Sequence, residues 1–370
     1  MIQKIPLYQP SISNAEKKNV LDCINEKWIS SKGKYVNKFE NLFKKKFSFK
    51  HATVTTNGTT ALHLSLLSLG IKKNDEIIVP NLTYIAPVNA ITYVGAKPIL
   101  VDVNKDTFLM DIENIKKKIS KNTKAILLVH LYGFMYDMNE INKIKKNFKI
   151  KIIEDCAEAI GSKFKNKYAG GFGDISTFSF YGNKTISTGE GGMVVSNNKN
   201  LIDRVIMFKS QGLNIKKNNN YYNHEVIGYN YRMTNICASI GYAQLKRVDF
   251  FIKKKKLINH WYKKYLNSNY ISFQKEINFS ESSFWLVNII LNNKNLKNKL
   301  VFFLKKKGIE TRPIFKPMNR LKIYKDSNKL FENSYDIYLK GISLPSYPDL
   351  NESKIKYISN QVNLFFKLNE

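Results

Sequence analysis

From residue 51 onward, short apolar runs bounded by polar or glycine-containing turns alternate with longer segments whose apolar positions recur every three or four residues. Ala52–Thr56 reads as a strand and Asn57-Gly58 as a turn. Thr59 and Thr60 then open a helix whose stripe of Leu62, Leu66 and Leu69 is stopped by Gly70. The same rhythm predicts strands at Glu76–Pro80, Pro98–Val103, Ala125–His130, Ile150–Glu154 and Ile175–Phe180. Helices are expected at Pro87–Val94, Ile112–Ile119 and Met138–Asn147. This is the spacing of βαβ units, so the fold class is α/β, with a mostly parallel central sheet covered by helices.

Both flanks read differently. Upstream, helices Asn14–Asn25 and Tyr35–Phe47 enclose the loop WISSKGKYV. After Val195 the alternation loosens into helices at Leu201–Ser210, Ile236–Arg247 and Phe250 to about Leu266, with an Asn-rich loop at Leu213–Asn223. A strand at Trp285–Leu291 and a helix at Leu296–Lys307, closed by Gly308, follow. The chain therefore divides into a large domain with an N-terminal arm (1–247) and a smaller C-terminal α+β domain (248–370).

Composition narrows the function classes. An apolar share of 43% supports packed cores. No apolar run reaches the about 20 residues that span a bilayer, and the N-terminus has no apolar signal core. A cytoplasmic protein without membrane partners is expected. Cys23, Cys156 and Cys237 are isolated, without metal-ligand spacing, which fits a reducing compartment and no metal site. The formal charge of +31 raises the alternative of a non-catalytic nucleic-acid-binding or regulatory protein. Against it, only Arg204, Arg232, Arg247, Arg312 and Arg320 are arginines among the 60 basic residues. The lysines spread over polar helix faces, so the expectation is a solvated surface and no nucleic acid, with a field that helps attract an anionic substrate.

In parallel sheets, ligands gather beyond the carboxyl ends of strands. Asn57–Thr60, Thr83–Tyr84, His130–Gly133, Asp155–Glu158 and Ser179–Lys184 all fall at such ends. Lys184 follows a strand and precedes the Gly189-Glu190-Gly191-Gly192 turn, where small residues let backbone approach a ligand. A lysine there can form an imine with an aldehyde. Asp155 is either the N-cap of a helix over AEAI or a partner for a pyridinium nitrogen, and Glu158 fits a capping box equally well. Gly58-Thr59-Thr60 at a helix start offers N–H groups and hydroxyls to a phosphate, and Ser179 can add another hydroxyl. Tyr84 either packs or stacks on a ring.

Seven segments carry a family resemblance: TNGTTALHLSLLSLGI (56–71), DEIIVPNLTYIAPVNAI (75–91), VHLYG (129–133), IIEDCAEAIGS (153–162), GDISTFSFYGNKTISTGEGGMV (173–194), VIGYNYRMTNICASIGYAQL (226–245) and GIETRPIF (308–315). Together they resemble the sugar aminotransferases of the DegT/DnrJ/EryC1/StrS family, fold-type I enzymes that use pyridoxal 5′-phosphate. The resemblance implies Lys184 as the Schiff-base lysine and proton shuttle, Asp155 at the pyridine nitrogen, Glu158 near the ring and Tyr84 stacked on it. It implies Gly58, Thr59 and Ser179 as the phosphate holders, with Asn230 reaching the phosphate from the neighbouring subunit of a homodimer with shared active sites. Arg312 would lie near the substrate. Asn319, in the Pro317-Met318-Asn319 segment where similar enzymes tend to carry His, would lie near the substrate as well and is the departure from the pattern. The finer motifs imply a GDP-linked 4-keto-6-deoxy sugar as acceptor, aminated at C4, and L-glutamate as donor. A UDP- or dTDP-linked keto sugar is the alternative. Sugar 3-dehydratases of the family have His at the lysine position, and Lys184 counts against that reaction.

Overall fold

The computed structural model describes residues 4–214, 223–325 and 331–370. Its centre is a seven-stranded sheet with the order His51–Thr55, Gly192–Ser196, Ile175–Ser179, Lys151–Asp155, Thr123–Val129, Glu76–Pro80, Lys97–Val101. Neighbours run parallel except around Gly192–Ser196, which is antiparallel to the strands on both sides. The hydrophobic rhythm predicted the six other strands and missed this one. Met193-Val194-Val195 is a short apolar run that returns alongside Ile175–Ser179 with no helix between, so it carries no βαβ signature.

The helix Lys34–Phe47 positions one edge of the site. Its Tyr35, Phe39, Phe43 and Phe47 recur every four residues and are all buried. Phe39 packs on Phe180 with ring centroids 5.1 Å apart, and Phe43 on Phe178 at 5.0 Å. Because side chains alternate across a strand, Ser179 between them turns to the opposite face.

A second sheet, wholly antiparallel, has the order Ile271–Phe273, Val287–Leu291, Gly341–Leu344, Arg312–Pro313. It packs in a separate apolar core with helices Lys297–Lys306 and Glu352–Lys367. The helix Val248–Tyr265 runs between the two cores. Val248 and Phe251 belong to the first, Ile258 and Tyr262 to the second. The start of the chain also joins the second core: Ile5 is buried there and bridges in parallel to Ile309, although the sequence pattern assigned this arm to the larger unit. Glu332–Lys340, Gly341–Leu344 and Glu352–Lys367 are elements the sequence pattern left unassigned. Of the Asn-rich loop expected at Leu213–Asn223, residues 215–222 lie outside the described residues. No helix among the described residues is long and apolar enough to cross a membrane.

Candidate active site

A cavity of about 500 Å³ opens at the carboxyl edge of the large sheet. Its phosphate-sized corner is built by the helix Gly58–Ser68. Asn57 caps that helix: its side chain accepts the Thr60 N–H at 2.9 Å, and the Thr60 hydroxyl accepts the Asn57 N–H at 3.2 Å. The N–H groups of Gly58 and Thr59 are left without a partner among the described residues, at the positive end of the helix dipole. Gly58, Thr59 and Ser179 all line the cavity there. A β-carbon at Gly192 would run into the Asn57 carbonyl, so that glycine lets the neighbouring strand pass behind the turn.

Asp155 ends the strand Lys151–Asp155 and lines the same cavity, only 5% exposed. Turns follow it rather than the helix an N-cap would open, so the capping reading does not hold for Asp155. Its Oδ1 instead accepts the Ala157 N–H at 2.9 Å, a local Asx turn. Burial pushes its pKa up, partly offset by that N–H and by the charges of Lys184 and His130.

Glu158 likewise takes no part in a capping box. One of its oxygens accepts the Tyr132 N–H at 2.7 Å and the other lies 3.3 Å from the Lys184 ammonium. Burial raises its pKa too, and Lys184 and the Tyr132 N–H oppose that rise. Tyr132 reaches Glu158 from a left-handed conformation (φ 57°), an uncommon state for a bulky residue.

Behind Asp155 lies a buried hydrogen-bonded pair, His130 Nε2 and Glu154 Oε2 at 3.0 Å, with both side chains fully buried. Burial opposes ionisation of Glu154. The His130 hydrogen bond and charge, with the N–H groups of Gly173 and Gly170, outweigh it and hold this carboxyl below its usual range. His130, Glu154 and Cys156 bring potential metal ligands within 4.8 Å of one another. Glu154, however, already accepts from Gly170, Phe172, Gly173 and Ser176 as well as His130. Burial also keeps the Cys156 thiol protonated, and a neutral thiol is a poor ligand.

One wall was only partly legible in the sequence. Trp285 stacks on Tyr132 at 5.9 Å and 13°, Tyr132 on Phe315 at 5.5 Å and 3°, and Phe315 tilts against Tyr84 at 5.6 Å. All four line the cavity. Tyr84 was expected there, and Tyr132 lies in the strand end His130–Gly133 that was; Trp285 and Phe315 come from segments far along the chain, and each alone looks like core packing. Arg312 also lines the cavity from the edge strand of the second sheet.

Two expected residues lie elsewhere. Asn230 is absent from the cavity of its own chain and accepts from Arg232 at 3.2 Å. Asn319 is buried beside the strand end at Asn81: its N–H donates to Asn81 Oδ1 at 3.0 Å, and its Oδ1 accepts from Asn81 Nδ2 at 3.1 Å.

These features suit a phosphorylated pyridine aldehyde. A glycine corner with free N–H groups, a buried carboxylate, a primary amine and an aromatic wall face one cavity. The chain belongs to the DegT/DnrJ/EryC1/StrS aminotransferase family, which it matches over residues 10–363. It is a pyridoxal 5′-phosphate-dependent aminotransferase. Among its relatives, the GDP-perosamine synthase of Escherichia coli O157:H7 is 49% identical over 362 residues, covering 98% of each chain. Among solved structures, PseC of Helicobacter pylori, an aminotransferase of pseudoaminic acid biosynthesis, superposes with a TM-score of 0.94 at 28% identity, covering 99% of this chain and 100% of that one. The GDP-4-keto-6-deoxy-D-mannose-3-dehydratase of E. coli, with bound hydrated PLP, superposes with a TM-score of 0.89 at 28% identity, covering 98% of this chain and 100% of that one.

Proposed function

We propose that the chain moves the amino group of L-glutamate to the C4 ketone of GDP-4-keto-6-deoxy-D-mannose, giving GDP-perosamine and 2-oxoglutarate. The observation that carries the reading is the convergence of Lys184, Asp155 and the Gly58–Thr59 corner on one cavity, in a chain half identical to a GDP-perosamine synthase.

Pyridoxal phosphate, when bound, supplies an electrophilic carbon and a ring that withdraws electrons. In this reading Gly58, Thr59 and Ser179 hold its phosphate, joined by Asn230 of a second subunit in a cytoplasmic homodimer. The position of Asn230 outside its own chain's cavity supports that assignment. Asp155 keeps a proton on the pyridine nitrogen, and Tyr84 covers a ring face. Lys184 would hold the aldehyde carbon, and its Nζ, once free, would take the Cα proton of the amino donor. Glu158, 3.3 Å from that Nζ, orients the amine. The same Nζ returns a proton to C4 of the sugar in the second half of the cycle. Arg312 lies where it can meet an anionic part of the substrate, and the basic surface draws the nucleotide in. The domain division near residue 248 is part of the same proposal, with the cavity lying between the two units.

The test is a panel of GDP-, UDP- and dTDP-linked 4-keto sugars with L-glutamate, read by mass spectrometry. Amination of the GDP sugar is expected, and its loss in Lys184→Ala. Amination of none of them, or turnover retained by Lys184→Ala, sinks the reading; preference for a UDP or dTDP sugar moves the substrate to that class.

A further inference from the structure

A second lysine, Lys255, is fully buried without a carboxylate beside it among the described residues. Burial holds its pKa well below the lysine norm. Its Nζ donates to the Trp285 carbonyl at 2.9 Å and to the Ser346 carbonyl, and it lies 4.5 Å from the centre of the Tyr8 ring. Tyr8 and Trp285 each reach on to Lys184. The Tyr8 hydroxyl donates to the Lys184 carbonyl. The Trp285 indole N–H donates to the Asn183 carbonyl at 2.7 Å, and its ring face lies 3.7 Å from the Lys184 Nζ. Two aromatic residues braced by one buried amine therefore grip the main chain on either side of Lys184's peptide link. One of them also offers the amine a face.

We propose that the indole face of Trp285 is the seat of the Lys184 amine when it is released from the cofactor and carries a proton, and that Lys255 is a positioning residue that holds the seat. The inference rests on Lys184 being the cofactor lysine. A transaminase frees this amine in every half-cycle, and a flexible four-carbon chain loose in a cavity of about 500 Å³ must be brought back to one carbon. The negative face of an indole attracts an ammonium without neutralising it. Glu158 lies 3.3 Å from the same Nζ, and the Asp155 carboxyl also acts on it through charge.

The experiment measures Lys184 itself. The pH profile of its acetylation by a trace amine reagent is followed by peptide mass spectrometry, in cofactor-free protein and in protein loaded with pyridoxamine phosphate. Trp285→Met keeps apolar bulk but removes the ring; Trp285→Phe keeps a ring but removes the indole N–H. Lys184 in Trp285→Met is expected to label about threefold to tenfold faster on the acidic limb of the profile, because the protonated amine loses its π partner. Trp285→Phe should stay close to the parent profile. Lys255→Met should reproduce the Trp285→Met shift, and the double variant should shift no further. An unchanged profile in Trp285→Met, or equal shifts in the Met and Phe variants, overturns the seat. Additive shifts from Lys255 and Trp285 overturn the brace, and the two Trp285 variants decide the seat even where Lys255→Met does not fold. Borohydride reduction of the holoenzyme, with mapping of the modified lysine, separates failure here from failure of the underlying assignment. A tag on a lysine other than Lys184 would refute the latter.

Discussion

A β-carbon at position 58 would stand 2.9 Å from the β-carbon of Ser179. The helix start and the strand end approach as closely as a glycine allows, and the space they leave is the phosphate corner. Gly58→Ala should therefore push the two apart and weaken cofactor binding by about tenfold or more, with the far-UV circular dichroism unchanged. Adding Ser179→Gly removes the colliding atoms, and part of the affinity should return in the double variant. A cofactor titration followed by absorbance measures both. Equal affinities for Gly58→Ala and the parent would show that the corner does not hold the phosphate.

The buried pair behind Asp155 makes a stability prediction. Glu154→Gln places an amide among N–H donors and leaves His130 without its carboxylate, at a cost of about 3–5 kcal/mol. The pH dependence has a definite sign. The folded pKa of Glu154 lies below its unfolded value, so its contribution is complete above the unfolded pKa, near 4.3. It disappears as pH falls through the lower folded value. Urea midpoints of cofactor-free protein should show a gap between parent and variant at pH 7 that narrows below about pH 4. A gap that widens on acidification would contradict the ionised Glu154.

Asp155 and Glu158 have the opposite sign. Their folded pKa values are raised, so each favours the folded state most at low pH, and that advantage is lost as pH rises through the raised value. In cofactor-free protein Asp155→Asn should remove part of this loss and gain on the parent as pH increases. Binding pyridoxal phosphate supplies the pyridinium charge and should shrink the difference. Thermal melts with and without cofactor across pH 4–8 make the comparison.

The proposed sharing of sites between two subunits predicts complementation. Lys184→Ala and Asn230→Ala are each expected to lose most activity as homodimers. Mixed dimers contain one cavity with both wild-type residues, so unfolding and refolding the two together should restore activity. No recovery from a mixture shown by native mass spectrometry to contain heterodimers would rule out Asn230 as a residue of the second subunit's site.

Arg312→Ala should raise KM for the nucleotide sugar about tenfold, the loss of one charge-assisted contact, while kcat changes little. A fall in kcat at constant KM would instead assign Arg312 to the chemistry.

How much of this was legible follows from which contacts are local. The strand ends at Thr55, Asp155 and Ser179 could be read because each follows an apolar run of the right length and precedes a turn. The Gly58 corner was readable for the same reason. Gly192–Ser196 escaped because its pairing on both sides depends on a return loop, not on periodicity. Trp285 and Phe315 escaped because a stack of rings from distant segments leaves no mark in any one of them, whereas Tyr132 lies in the strand end His130–Gly133 that the pattern did bring to the crevice. Asp155 misled as a cap: the residues after it satisfy the composition of a helix start, yet Gly161 at φ 85° and the turns before it take the chain elsewhere. Asn319 was placed near the substrate by motif position alone, while its side chain is committed to Asn81.

All seven strands of the large sheet have been synthesised by Ser196, but the cavity they edge also needs Trp285, Arg312, Phe315 and Ser343. During translation the sheet can thus precede its completed active site by well over a hundred residues, with Lys184 lacking its indole face until Trp285 is made. The beginning of the chain waits as well, since Ile5 has no strand partner until Ile309 emerges. A nascent chain stalled before residue 285 would hold the lysine, the carboxylate and the phosphate corner, yet would not have the wall that closes them off from water.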